Sequence, residues 1–126
     1  MTVSWQEIIA HYETIKIDWR SIRAIRTLAR KVSESPLAPG LFAWTSMFDL
    51  CIVQQQVTYP YRGPFLRISP ISEDQVEFRY EDTPDKWKQW HRTVDADEVT
   101  SRLLKFLDQL RWFPANVLKQ LDQLED

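Results

Sequence analysis

A chain of 126 residues, 44 % hydrophobic and 27 % charged, has the make-up of one ordinary globular domain that can bury roughly two thirds of its unfolded surface, which excludes intrinsic disorder. One cysteine, Cys51, excludes an internal disulfide, and no apolar run approaches the roughly 20 residues needed to cross a bilayer. The net charge of −2 divides into eight basic and five acidic residues over 1–67 against eight and thirteen over 68–126, a dipole too weak to imply nucleic acid.

The N-terminus, Met-Thr-Val-Ser-Trp-Gln-Glu, lacks a basic segment leading into an apolar one, so the expected setting is cytoplasmic and reducing, with no membrane contact. Ser4 and Glu7 have capping-box spacing, with Val3 and Ile8 placed as a hydrophobic staple, and a helix over Trp5–Thr14 would bury Trp5, Ile8, Ile9 and Tyr12. Asp18 is the expected N-cap of a second helix, Trp19–Ser33, stapled by Ile17 and Ile22. Its apolar stripe is Ile22, Ile25, Leu28, Ala29 and Val32. The segment Ser33–Gly40 reads as a loop.

The period then shortens. Leu41–Trp44, Phe48–Gln54, Phe65–Ser69, Gln75–Glu81 and Gln89–Val94 read as strands, the second apolar on both faces and therefore interior. In the fourth, Val76, Phe78 and Tyr80 alternate with Gln75, Glu77, Arg79 and Glu81, which sets the first three inward. Asp95 and Glu98 mark a third helix, Ala96–Arg111, with Val99, Leu103, Phe106, Leu107 and Leu110 inward. Pro114 opens a short fourth with Val117, Leu118, Leu121 and Leu124. Strands with no helix between them predict an α+β fold: an antiparallel sheet of four or five strands with N- and C-terminal helices packed mainly on one face, in the order ααβββββαα and as a single domain over 1–126.

Signs of catalysis are sparse. Two glycines, Gly40 and Gly63, cannot build a phosphate-cradling loop, and no nucleophile elbow is present. His11 lies four residues after Glu7 on one helical face, a solvated pair rather than half a zinc site. Asp49 interrupts an apolar strand, as a functional carboxylate does, but a structural role is favoured, either capping the Thr45–Met47 turn or pairing with Arg67, which interrupts a neighbouring strand in the same way. No catalytic residue, metal or cofactor is expected.

The candidate binding residues are of two kinds. Arg20, Arg23, Arg26, Arg30 and Lys31 fall on one arc of the second helix opposite its apolar stripe, with Asp18 the one acidic residue in that segment. Trp19 shares the arc and has Arg23 four residues on, the spacing for a cation–π contact. Tyr59, Tyr61 and Arg62 in one loop, and Trp87, Trp90 and Arg92 in another segment, supply the residue types that dominate binding hot spots. Trp5, Trp44 and Trp112 read as core. A strand over 86–92 would send Trp87 and Trp90 to opposite faces, whereas a helical turn after Pro84 would keep them together. The strand is the expected form.

The function these features favour is a non-enzymatic protein-interaction module: an adaptor, a chaperone-like protein or a specific inhibitor. Its partner is a protein, with an acidic surface or a phosphate-bearing ligand suited to the helix-two arc. A small-ligand domain with an aromatic-lined pocket between sheet and helices ranks second, and an enzyme third.

Overall fold

The structure, a computed structural model, describes residues 1–119. Two helices, α1 (Trp5–Glu13) and α2 (Arg20–Ser33), precede five strands, and two more helices follow. The strands are β1 (Phe42–Ser46), β2 (Asp49–Val53), β3 (Phe65–Pro70), β4 (Gln75–Glu81) and β5 (Trp90–Asp95). The closing helices are α3 (Val99–Gln109) and α4 (Ala115–Lys119). The strands form one antiparallel meander in chain order, β1-β2-β3-β4-β5, so the α+β order ααβββββαα is observed.

Local chemistry explains where the helices begin and end. Ser4 accepts a hydrogen bond from the Glu7 amide at 3.1 Å, which starts α1 where the capping pattern places it. α2 departs from expectation. Its N-cap is Trp19, which has no side chain able to cap, and Asp18 lies one residue too early and pairs with Arg23 instead. The buried first-turn amide of Ser21 is satisfied by the Glu73 carbonyl at 2.8 Å, and the Ser21 hydroxyl donates to the Ser72 carbonyl at 2.6 Å. A strand turn thus replaces the missing cap.

Asp95 also caps differently from expectation. It accepts from the Asp97 amide at 2.9 Å rather than from Glu98, because the first turn, Ala96–Glu98, is a tight 3₁₀ turn that leads into α3. α3 ends in a Schellman arrangement, with Arg111 at φ 61° and the Trp112 amide donating to the Leu107 carbonyl at 3.1 Å. Leu121 and Leu124 of the fourth apolar stripe lie outside the described residues.

Cross-strand partners share a face, so the register sorts the sheet into two surfaces. Ala43, Ile52, Leu66, Tyr80 and Trp90 form one row and Leu50, Ile68 and Phe78 the next. This face carries the core: Ile25, Leu28 and Val32 of α2, Ile8 and Tyr12 of α1, and Leu103, Phe106 and Leu107 of α3 are buried with it. Phe78 and Phe106 meet at 4.9 Å between ring centres. Val76, Phe78 and Tyr80 point inward as the alternation requires.

The other face carries the row Trp44, Cys51, Arg67, Arg79 and His91. Trp44 is therefore not core. The run Leu41–Trp44 is apolar at every position, so its parity could not be read, and the indole lies half-buried against Phe65 (5.3 Å) and Tyr61 (6.2 Å). Trp5 is buried, and Trp112 packs at the core's edge.

Candidate interaction surface

The register brings the β1–β2 turn (Met47 and Phe48) and the β3–β4 turn (71–74) to the same end of the sheet. The connection from α1 to α2 bridges them. At its start, His11 Nε2 lies 2.8 Å from the Met47 carbonyl and the Tyr12 hydroxyl donates to the Phe48 carbonyl at 2.9 Å. Because a carbonyl only accepts, Nε2 is the protonated nitrogen in that bond, so His11 anchors a turn rather than forming the expected solvated pair. At the far side of the connection, Ser21 holds Ser72 and Glu73.

This end gathers five of the eight large apolar side chains that are exposed among the described residues: Ile17, Trp19, Met47, Phe48 and Ile71. Their exposure runs from 36 % at Trp19 and Phe48 to 82 % at Met47. Ile17 lies in the connection, two residues before the Trp19 cap, and is 43 % exposed while lining one groove with Ile22. Met47 stands at φ 56° in the two-residue hairpin turn, a left-handed conformation that an L side chain adopts at a cost.

A groove of about 310 Å³ lies beside this platform, between the connection and α2. Tyr12, Ile15, Ile17 and Ile22 supply apolar lining, and Lys16, Arg23 and Arg26 supply three cations against one carboxylate, Asp18. Asp18 is already engaged by Arg23. Arg26 Nε is buried and has no hydrogen-bond partner among the described residues. Burial pushes the Tyr12 phenol well above its ordinary range, with Asp49 adding to the effect, so the groove wall stays uncharged there. A second groove, of about 500 Å³, runs between α2 and the start of α3 past Arg20, Thr27, Lys31 and Asp97. Of the two, the first alone has an aromatic lining residue, Tyr12.

The basic arc of α2 is one-signed only along its own helix. Arg20 meets Asp74 at 2.9 Å and Asp95 at 3.3 Å, and also pairs with Asp97, joining α2 to the β3–β4 turn and to the start of α3. Arg23 turns to Asp18 rather than stacking on Trp19, and Arg30 lies 3.8 Å from Glu13 of α1. Arg26 and Trp19 border the turn-end surface.

The aromatic loops divide. Phe65 pairs with Glu81, so the segments before β3 and after β4 lie together at the opposite end of the sheet, where Tyr59 is 85 % and Trp87 80 % exposed. Tyr61 folds back over Gly63 to donate to the Pro64 carbonyl at 2.7 Å, and Arg62 is exposed. Asp82 organises the second loop by accepting from the Asp85 amide at 3.1 Å. Burial, reinforced by Asp82, pushes the Tyr80 phenol up to about 12.

Residues 86–88 form a 3₁₀ turn and β5 starts only at Trp90, which corrects the expected strand over 86–92. The indoles still part. Trp87 stands in solvent under Lys88, and Trp90 packs on Tyr80 at 6.0 Å and on Phe106 at 4.8 Å, with Arg92 over its ring.

Asp49 and Arg67 form a half-buried ion pair at 2.7 Å on the outer face. Cys51 stands in the same outer-face row, between Trp44 and Arg67, and burial pushes its thiol up to about 12, which leaves it a poor nucleophile. Among the described residues, no three His, Cys, Asp or Glu side chains are grouped so as to hold a metal, and no helix is long and apolar enough to cross a membrane. Sequence reading missed Met47, Phe48, Ile17 and Ile71. The signal available was a two-residue hairpin turn built of two apolar residues where Asn-Gly is usual. No protein-family model, curated protein or solved structure matches the chain.

Proposed function

We propose that the chain is a non-enzymatic protein-interaction module that engages a protein partner through the turn end of its sheet. The observation that carries this reading is the gathering of Ile17, Trp19, Met47, Phe48 and Ile71 in solvent at one end. Scattered apolar side chains on a surface need no explanation, but five of them concentrated at one end favour an interaction site. Lys16, Arg23 and Arg26 beside it favour a partner with an acidic rim around an apolar centre. An adaptor, a chaperone-like protein and a specific inhibitor all use such a surface, and the reduced thiol of Cys51 suits a cytoplasmic one.

Immobilised wild-type chain, Trp19→Ala/Met47→Asp and Tyr59→Ala/Trp87→Ala are compared for stoichiometric protein capture from the native lysate. The first double variant should lose the captured protein and the second should keep it, with melting temperatures unchanged in both. Capture that survives the first and fails with the second moves the surface to the opposite end. Capture that is unaffected by both overturns the reading.

A further inference from the structure

The groove beside the turn end has a composition that selects for one ligand chemistry. Its lining joins Ile15, Ile17 and Ile22 to Lys16, Arg23 and Arg26, so an occupant must be apolar along its body and anionic at one edge. The one acidic lining residue, Asp18, is consumed by Arg23 and leaves two cations uncompensated within the groove. Arg26 Nε is itself buried, with no partner among the described residues, so the guanidinium would meet an occupant through its terminal Nη groups. The two terminal Nη groups of a guanidinium present parallel N–H groups, which match the two oxygens of a carboxylate. The Tyr12 hydroxyl is spent on the Phe48 carbonyl, so it does not compete for that position. At about 310 Å³ the groove lies at the small end of ligand sites, roughly 300–1,000 Å³, and holds one or two side chains rather than a nucleotide.

We propose that this groove binds a carboxylate borne on a branched apolar body, with Arg26 as the bidentate contact and Ile15, Ile17 and Ile22 as the apolar bed. Resting on the reading of the turn end as the partner surface, this makes the groove the place where the partner inserts an acidic residue adjoining a leucine-like side chain. A phosphate fits the charge but not the bed, since a doubly charged, strongly hydrated group gains nothing from three isoleucines.

The test is a titration of the full chain, followed through isoleucine methyl and arginine Nε–H resonances. The probes are N-acetyl-leucine, its amide, acetyl-glutamyl-leucine amide and inorganic phosphate. N-acetyl-leucine should shift Ile15, Ile17, Ile22 and Arg26 saturably, and the amide should bind at least about tenfold more weakly, the discrimination that loss of a charge-assisted bond produces. Saturable binding of acetyl-glutamyl-leucine amide identifies a side-chain carboxylate within a partner chain as the source. Binding of N-acetyl-leucine alone identifies a terminal or free acid.

Arg26→Met should abolish the preference for carboxylate over amide. Arg26→Lys, which keeps the charge and loses the fork, should reduce it, and it serves as the readout should Arg26→Met fail to fold. Equal binding of acid and amide, phosphate shifting the same resonances as strongly, or shifts confined to other residues would each overturn the proposal. If these carboxylate results fail while protein capture remains sensitive to Trp19 and Met47, the interaction surface stands and the groove chemistry falls. The converse result removes the protein partner and leaves the carboxylate site.

Discussion

Leu107→Ala tests the packing of α3 on the sheet, on which every surface described above depends. Leu107 is fully buried in the stripe that includes Leu103 and Phe106. The substitution removes three carbons, and at roughly 0.8 kcal/mol each the lost transfer energy is about 2.4 kcal/mol. One wall of the site is the sheet, whose ladder resists collapse. A residual void of about 40 Å³, at about 24 cal/mol per Å³, therefore adds about 1 kcal/mol. The expected loss is about 3–4 kcal/mol, a large part of the roughly 5–15 kcal/mol typical of a domain. In a urea titration with a slope of about 1.5–2 kcal/mol per M, the midpoint should fall by about 2 M with the slope unchanged. Leu110→Ala, at a position only partly buried at the edge of the core, should cost less than about 1.5 kcal/mol. A loss below about 1 kcal/mol at Leu107, or equal losses at both positions, would refute the packing argument.

Three further outcomes are expected. Met47→Gly should raise stability by roughly 0.5–1 kcal/mol, because relief of about 1–2 kcal/mol at a left-handed position exceeds the added chain entropy of about 0.4–1 kcal/mol. The same variant should weaken partner capture, and a thermal scan showing lower stability would contradict the strain argument. Cys51, with its folded thiol pushed up to about 12, adds stability that is complete below the unfolded thiol's value near 9 and lost as pH rises toward 12. Denaturant titrations from pH 8 to 11 should therefore fall less steeply for Cys51→Ala than for wild type, and parallel curves would reject a buried thiol. In iodide quenching, Trp87→Phe should remove far more quenchable fluorescence than Trp90→Phe, since Trp87 is 80 % exposed and Trp90 is packed on Phe106; equal effects would contradict this placement.

Much of the fold was legible because its signals are local and periodic. The alternation of Gln75–Glu81 predicted β4 with its bounds and its inward face, since a period of two has only one arrangement that hides Val76, Phe78 and Tyr80. The Ser4–Glu7 spacing placed the start of α1, and the absence of helical periodicity between Gly40 and Asp95 predicted an antiparallel sheet, whose strand order the structure supplied. Where periodicity was degenerate, reading failed. Leu41–Trp44 could not reveal that Trp44 faces away from the helices, and Trp87 could not reveal the 3₁₀ turn that holds it outside β5.

The surface itself was decided by residues far apart in the chain. From sequence, Arg20 and Arg30 belong to a cationic face, because the counter-charges Asp74, Asp95, Asp97 and Glu13 lie on other elements and only folding delivers them. Asp18 reads as a cap until the carbonyls of Ser72 and Glu73 arrive to satisfy Ser21 and free Asp18 for Arg23. Ile17, just before Asp18, is 43 % exposed at the sheet end shared by Met47 and Ile71. The sequence by itself determined which faces are apolar, through side-chain periodicity along each element. The tertiary structure alone decided which exposed residues are neighbours, because strand register and helix docking bring together groups that no local pattern connects.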